Sequence, residues 1–239
     1  MNEGSRVALV TGATRGIGRA IARRLHADGF EVVISGHTVD STRRAVEEFD
    51  REGLRISGRA ADARREDDQK ALIEFAGSKR GRLDVLVNNA GIGEFGPVDK
   101  LDPERFRDVL ETNLFGPFYA IRAAVPLMKK NGGGFIVNIA SLASVNAFAG
   151  GAAYNASKFG LLGLSEASML DLRHDGIRVA AVLPGSVATE FGGHDDRRES
   201  SWMLSADDVA EAVSDLVRFP DRAIPSRIDL RPSRPPKKT

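Results

Sequence analysis

Seven short apolar runs, each parted from the next by a helical pattern, leave this 239-residue chain few folds to choose from. The runs are Val7–Thr11, Glu31–Ser35, Arg55–Ala60, Leu83–Asn88, Gly134–Ala140, Ile177–Leu183 and Ser226–Leu230. Helical patterns fill 16–28, 40–52, 66–79, 103–130, 153–174 and 206–218. Such alternation predicts parallel strands, because a parallel neighbour needs a long crossover and a helix supplies it. Right-handed crossovers then give a single-domain α/β fold, a doubly wound sheet of about seven strands covered by helices on both faces. Ligands bind such sheets beyond the carboxyl ends of the strands. The glycine-rich stretch from Thr11, Asn88–Gly91, Ser141 and Pro184–Gly185 all follow predicted strands, so they should converge on one crevice.

Thr11–Gly18 reads Thr-Gly-Ala-Thr-Arg-Gly-Ile-Gly and opens onto a helix whose apolar face is Ala20, Ile21, Ala22 and Leu25. A strand that turns through glycines into a helix N-terminus makes an anion site, because free N–H groups and the helix dipole both point at a phosphate. The spacing of Gly12, Gly16 and Gly18 is G-x-x-x-G-x-G rather than the commoner G-x-G-x-x-G, and no Gly-Lys-Ser/Thr follows to make a P-loop. A tight turn using glycine only for its backbone angles is the plainer alternative.

Tyr154 and Lys158 lie in Tyr-Asn-Ala-Ser-Lys, thirteen residues after Ser141. A phenol, with an ordinary pKa near ~10, is a poor proton donor at neutral pH. The lysine one helical turn on shares its face and can stabilise the phenolate. A serine hydroxyl brought in from another element can hold a carbonyl oxygen beside the phenol. Together they suit proton transfer to an alkoxide, the half-reaction that accompanies hydride transfer. By itself the pair also reads as a packed tyrosine and a solvated lysine.

Thr-Gly-x-x-x-Gly-Ile-Gly, Asn88-Asn89-Ala90-Gly91, Asn113, Ser141, Tyr154-x-x-x-Lys158 and Pro184-Gly185 resemble the short-chain dehydrogenase/reductase family in order and spacing, over roughly residues 5 to 190. The resemblance implies a Rossmann-type sheet and a catalytic set of Asn113, Ser141, Tyr154 and Lys158. It implies dinucleotide contacts from Gly12, Thr14, Arg15, Gly16, Ile17 and Gly18. Where NAD-preferring members carry an acid this chain has Gly36, while Arg15, His37 and Thr38 stand where NADP-dependent members place basic or hydroxyl groups. NADP(H) is therefore expected over NAD(H), although histidine is a weaker, pH-dependent phosphate partner. Asp62 and Ala63 resemble the segment at the adenine, and Asn89, Ala90 and Gly91 the segment along the adenosine ribose. Pro184, Gly185, Val187 and Thr189 resemble the segment at the nicotinamide, and Lys158 is implied to reach the nicotinamide ribose beside Tyr154.

In the implied mechanism Ser141 donates to the substrate carbonyl oxygen and Tyr154 protonates the forming alkoxide. Lys158 lowers the tyrosine pKa, and a water held by Asn113 returns the proton. Asp102, Pro103 and Glu104 start the helix that carries Asn113. Pro117 has no N–H for the Asn113 carbonyl four residues back, so the helix is expected to bend there and free that carbonyl for the water.

Other features bound the reading. A net charge of +1 gives no bulk field toward nucleic acid or membrane. The absence of cysteine excludes disulfides and thiolate chemistry, and four scattered histidines show no metal-ligand spacing, so no metal is expected. Met1–Arg6 has no apolar targeting region and no stretch is long enough to span a bilayer, which makes the cytoplasm the expected location. Residues 1–230 read as the domain and 231–239 as a basic, proline-containing tail expected to be disordered.

The C-terminal end lacks the glycine-rich strand of the 3-oxoacyl carrier-protein reductases, and Val179-Ala180-Ala181-Val182 lacks an asparagine common in the family. Both departures look more like NADP-dependent 3-hydroxy acid dehydrogenases and broad carbonyl reductases. Small 3-oxo or 3-hydroxy acids or related carbonyls are the expected substrates, with carrier-protein acyl thioesters as the alternative. A homodimer or homotetramer through the helices at 103–130 and 153–174 is implied. Thr189–Ser205 is expected to form a polar lid in which Arg197–Arg198 is solvated. Phe95, Phe148, Phe191, Trp202 and Met203 either wall an apolar pocket or pack into the core. A sensor without chemistry would not need serine, tyrosine and lysine together. An extended-branch epimerase would carry a longer C-terminal domain.

Overall fold

The computed structural model describes residues 6–189, 191 and 201–236. Its strands are β1 (Val7–Val10), β2 (Glu31–Gly36), β3 (Ile56–Ala60), β4 (Val85–Asn88), β5 (Gly134–Ile139), β6 (Ile177–Pro184) and β7 (Arg227–Leu230). The helices are α1 (Gly16–Ala27), α2 (Val39–Arg51), α3 (Glu66–Gly77), α4 (Pro103–Leu110), α5 (Gly116–Lys130), α6 (Ala152–Leu172) and α7 (Ala206–Arg218). One sheet runs β3-β2-β1-β4-β5-β6-β7, parallel throughout. The order reverses at β1, which pairs β2 on one side and β4 on the other. The crevice of a doubly wound sheet opens at that reversal.

Alternation along each strand sends side chains to two cores. Ala8, Val10, Val32, Ile34, Val85 and Val137 meet Ile21 and Leu25 of α1, Phe49 of α2 and Val213 and Leu216 of α7. Val7, Leu9, Val33, Leu86 and Ile136 meet Leu72 and Ile73 of α3 and Ile121, Ala124 and Met128 of α5. Each fully buried side chain of this size stabilises the fold by about 1.5–3 kcal/mol. A one-residue slip in any strand would put its hydrophobic set on the wrong face. A third cluster, Ala140, Leu161, Leu162, Ala181 and Leu183, seats α6 on β5 and β6. The same helix is tied by a buried polar ladder. Asn88 Nδ2 donates to Asn138 Oδ1 at 2.8 Å, and Asn138 Nδ2 donates to Ser165 Oγ at 2.8 Å.

The helix expected over 103–130 is not continuous. α4 starts as its sequence says, with Asp102 accepting from Glu104 N at 2.8 Å and Pro103 in the first turn. Glu111–Phe115 then forms a π-helical segment in which Gly116 N donates to Glu111 O, and α5 follows. Pro117 accounts for the break, since it offers no N–H to the Asn113 carbonyl. Gly116 fits the close packing: an added Cβ would lie 2.9 Å from the Ala63 carbonyl oxygen.

β7 ends at Leu230, and residues 231–236 continue as irregular chain. The expected lid falls on residue 190 and residues 192–200, including Arg197–Arg198, which lie outside the described residues, as do 237–239 of the tail. No helix among the described residues is long and apolar enough to cross a membrane.

Candidate active site

At the carboxyl end of β1 the chain folds back on its own backbone. Thr11 Oγ1 accepts from Asn89 N at 3.0 Å and Ala90 N at 3.1 Å, and Asn89 Nδ2 donates to the carbonyls of Thr11 and Gly12, both at 2.9 Å. Gly12 and Gly16 adopt φ of 62° and 55°, which a side chain would strain. Added Cβ atoms would lie 2.7 Å from Ala90 Cα at Gly12 and 2.4 Å from Asn89 Nδ2 at Gly18. At Gly16 the nearest atom would be Thr189 Cγ2, at 3.6 Å. The turn is thus closed toward Asn89–Ala90 and open toward Thr189. The first turn of α1 contains no acid to neutralise its dipole. This is a cradle shaped for a phosphate group.

The cradle forms one end of a cleft of about 540 Å³. Thr14, Arg15, Ile17, His37, Asp62, Ala63, Gly91, Pro184, Gly185 and Val187 line it with the residues just described. Gly36 has a steric reason to be glycine, since a Cβ would lie 2.5 Å from Thr14 Cγ2 and 2.7 Å from Thr42 Oγ1. A side chain there would have to displace those of Thr14 and Thr42. Thr38 is not among the residues lining the cleft. Its hydroxyl caps α2, accepting from Ser41 N at 3.1 Å and donating to Ser41 Oγ at 2.9 Å. His37 is largely exposed, with Nδ1 3.9 Å from Asp62 Oδ1. Arg64 holds the Asp62 carboxyl below its ordinary pKa by hydrogen bonds, chiefly from its side chain. Arg64 Nη1 also reaches Asp108 at 2.9 Å, tying the loop after β3 to α4.

Ser141, Tyr154 and Lys158 stand at the other end of the cleft. β5 delivers Ser141, which caps a short 3₁₀ turn by accepting from Ala143 N at 3.1 Å. α6 presents Tyr154 and, one turn later, Lys158. Burial holds the Tyr154 phenol above its ordinary pKa, and a hydrogen bond with Ser141 offsets this only in part. Burial also pulls the Lys158 ammonium down to about 8. The Lys158 Nζ donates to the Ile139 carbonyl at 2.8 Å and lies 5.7 Å from the Tyr154 ring centroid. The ammonium is committed to a backbone carbonyl, and desolvation dominates at the phenol.

Asn113 is fully buried and stands behind the cleft wall rather than on it. Its Oδ1 accepts from Ile92 N at 2.8 Å, and its Nδ2 donates to Ile92 O at 2.8 Å and Ser157 Oγ at 3.0 Å. Ser157 Oγ in turn donates to the Tyr154 carbonyl at 2.8 Å. The Asn113 side chain is used up in holding the loop after β4 to α6. Among the described residues no cluster of three or more His, Asp or Glu side chains could hold a metal ion.

A family model described as short chain dehydrogenase matches residues 6–200. The chain belongs to the short-chain dehydrogenase family. A trans-4-hydroxycyclohexanecarboxylate dehydrogenase of Sinomonas cyclohexanicum is 38% identical over 220 residues, which are 90% of this chain and 85% of the relative. A crystal structure of a metagenomic short-chain oxidoreductase in complex with NADP is similar with a TM-score of 0.83 and 36% identity, over 96% of this chain and 98% of that one. An actinorhodin polyketide ketoreductase variant crystallised with NADPH is similar with a TM-score of 0.86 and 34% identity, over 95% and 96%.

This short-chain dehydrogenase is an oxidoreductase of the kind that acts on the CH–OH/C=O pair. Its cleft holds residues that motif reading passed over. Arg64 and Gln69 line it beside Asp62, and Arg105, Asp108, Ile92 and Thr112 also line it. Arg64 sits in the charged run Arg64-Arg65-Glu66-Asp67-Asp68, which reads in sequence as a solvated face. Of the five candidate apolar wall residues, Phe191 is on the cleft wall. Phe95 and Phe191 both pack against the Tyr154 ring, and Phe148 packs against Phe95.

Proposed function

We propose that the chain is an NADP(H)-dependent oxidoreductase that interconverts a carbonyl and a secondary alcohol, with Tyr154 as the acid/base. One observation carries this: a phosphate-shaped glycine cradle and the Ser141–Tyr154–Lys158 group occupy the two ends of a single cleft. NADP(H) is favoured by the absence of an acid at Gly36, by Arg15 and His37 on the wall, and by the likeness to proteins crystallised with NADP and NADPH. Gly12–Gly18 would hold its pyrophosphate, the Asp62–Ala63 segment its adenine, Pro184–Thr189 its nicotinamide and Lys158 the adjoining ribose. When bound, the nicotinamide supplies or takes up the hydride.

The chain's own residues handle the proton. Ser141 donates to the carbonyl oxygen and fixes it beside Tyr154. Burial keeps Tyr154 as the neutral phenol, the form that can donate to a developing alkoxide. Lys158, with its pKa near 8, is still mostly an ammonium at neutral pH and stabilises the phenolate left after transfer. Asn113 and Ser157 keep Tyr154 in register, and the Asn113 carbonyl is the acceptor for a water that returns the proton. Small 3-oxo or 3-hydroxy acids or related carbonyls are the substrate class. An acyl thioester is the second reading, favoured by the likeness to a polyketide ketoreductase. We place the enzyme in the cytoplasm as a homodimer or homotetramer joined through α4–α6, where Phe115, Phe118 and Phe159 are exposed.

The test is to follow NADPH absorbance with the purified protein against small carbonyls and a 3-oxoacyl thioester. Stoichiometric oxidation of NADPH with formation of the alcohol is expected. Product formed without net change in cofactor would overturn the reading in favour of an epimerase. Selective turnover of the thioester would establish the second reading.

A further inference from the structure

Two phenylalanines, Phe95 and Phe191, pack on the reactive tyrosine and a third, Phe148, packs on Phe95, all three remaining open to solvent. Phe95, Phe148 and Phe191 are 46%, 48% and 42% exposed. The Phe95 ring centroid is 5.6 Å from that of Tyr154 and 6.1 Å from that of Phe148. Phe191 lies 5.8 Å from Tyr154. A single exposed ring needs no explanation, but a contiguous set around a reactive group marks a binding surface.

The rings are seated rather than loose. An added Cβ at Gly93 would lie 2.7 Å from Phe95 Cζ and 3.0 Å from Phe191 Cε1, and one at Gly151 would lie 2.6 Å from Phe148 Cε2. Neither glycine has positive φ. What these positions require is the absence of a side chain beneath a ring. The two loops are also fastened together, with Gly96 N donating to Gly150 O at 2.8 Å and Gly96 bridging Gly151 as parallel strands do. Phe148 N donates to Asn155 Oδ1 at 3.3 Å, and Asn155 Nδ2 donates to the Ala143 carbonyl at 2.9 Å. Phe95 and Phe148 thus stand in place before any ligand arrives, which lowers the ordering cost of binding.

Charge narrows the ligand. The loop Gly91–Val98 carries one charged residue, the acidic Glu94, and Leu142–Gly151 carries none. A carboxylate would find no cation on these two loops. A flat neutral ring would find three aromatic partners at stacking distance.

We propose that the substrate is a neutral aryl ketone, or the corresponding benzylic alcohol, whose ring rests on Phe95, Phe148 and Phe191 while its oxygen meets Tyr154 and Ser141. This rests on Tyr154 as the acid/base and moves the substrate from 3-oxo acids to the related carbonyls. The test compares kcat/KM for acetophenone and cyclohexyl methyl ketone, which differ in flatness and not in carbon skeleton, with NADPH and the full chain. Phe95→Leu and Phe148→Leu keep apolar bulk and remove the ring. Comparing each variant with the wild type cancels the intrinsic reactivities of the two ketones.

The acetophenone to cyclohexyl methyl ketone ratio is expected to fall about fivefold to tenfold in each variant, mainly through KM for acetophenone. A ratio unchanged within about twofold in both variants, with the wild type turning over cyclohexyl methyl ketone, overturns the aryl assignment and leaves Tyr154 standing. Faster turnover of 3-oxobutanoate than of either ketone overturns it in favour of an acid substrate. A wild type that oxidises NADPH with no carbonyl at all overturns both readings.

Discussion

The glycine cradle and the aromatic shelf sit on either side of Tyr154 and are built by opposite means. The cradle surface is backbone: Gly12, Gly16 and Gly18 lie within one turn, and the side chains of Thr11 and Asn89 hold it by bonding main-chain groups. The shelf is side chain, with Phe95, Phe148 and Phe191 arriving from three loops that are distant in sequence and meet only after the sheet has formed. A backbone site needs glycine at fixed offsets and leaves a spacing to read. A site assembled from rings on separate loops leaves none. The first binds what is common to many reactions, and the second is free to differ between enzymes that share a fold.

The sharpest separation of the two halves is Tyr154→Phe. It removes the proton donor and leaves the cradle and the packing of Phe95 and Phe191 intact. Turnover should fall ~10²-fold or more, while NADPH binding, read by fluorescence titration, stays near that of the wild type. Near-normal turnover would mean that another group donates the proton. Loss of NADPH binding would mean that the two halves are not separable.

Lys158 tests how deeply the chemical half is buried. Its folded pKa is depressed from the ordinary 10.5 to about 8 by desolvation. Between those values the unfolded chain binds a proton that the folded chain does not, so stability rises with pH across the window. The gain is complete above the unfolded pKa and is lost as pH falls through about 8. Its full size is roughly 3 kcal/mol. Urea midpoints taken from about pH 7.5 to about pH 10.5 should show the wild type gaining on Lys158→Met. A difference that stays flat would place the lysine in contact with water.

A smaller effect breaks the cradle itself. At Gly18 an alanine Cβ would lie 2.4 Å from Asn89 Nδ2, 2.6 Å from Gly12 O and 2.8 Å from Ala13 Cα. Two of those atoms are backbone or bonded directly to it and cannot swing aside. Gly18→Ala should cost about 1–3 kcal/mol of stability and weaken NADPH binding. Gly163 on α6 is the control, since an added Cβ meets nothing within 4 Å. There alanine should stabilise by about 0.4–1 kcal/mol. Equal melting shifts at the two positions would show that helix propensity, and not crowding, decides both.

Legibility follows the same division. All seven strands were readable as apolar runs between helices, and the order of the motifs placed the cleft. The break at Glu111–Phe115 was only half readable: Pro117 announced a disturbance, but no local pattern marks a π segment, and the close approach of Gly116 to Ala63 comes from a distant loop. Arg64 was hidden because a cation between Asp62 and Asp108 looks, in one dimension, like a solvated charge run. Tyr-x-x-x-Lys describes a shared helix face and says nothing of how deeply the pair is buried or of the Ile139 carbonyl that takes the ammonium.

Thr38 gives the finest version of the contrast, since a hydroxyl beside a cofactor cleft can serve the ligand or the fold. In the structure it caps a helix. Thr38 and Ser41 form a reciprocal capping box at the start of α2, with Thr38 Oγ1 both accepting and donating. Losing such a cap costs about 0.5–2 kcal/mol. Thr38→Ala should therefore lower the melting temperature while the ratio of NADPH to NADH affinity stays unchanged, as measured by paired titrations. The outcome that would return Thr38 to the cofactor is a selective loss of NADPH affinity without a change in melting, because a lost helix cap cannot discriminate a 2′-phosphate from a hydroxyl.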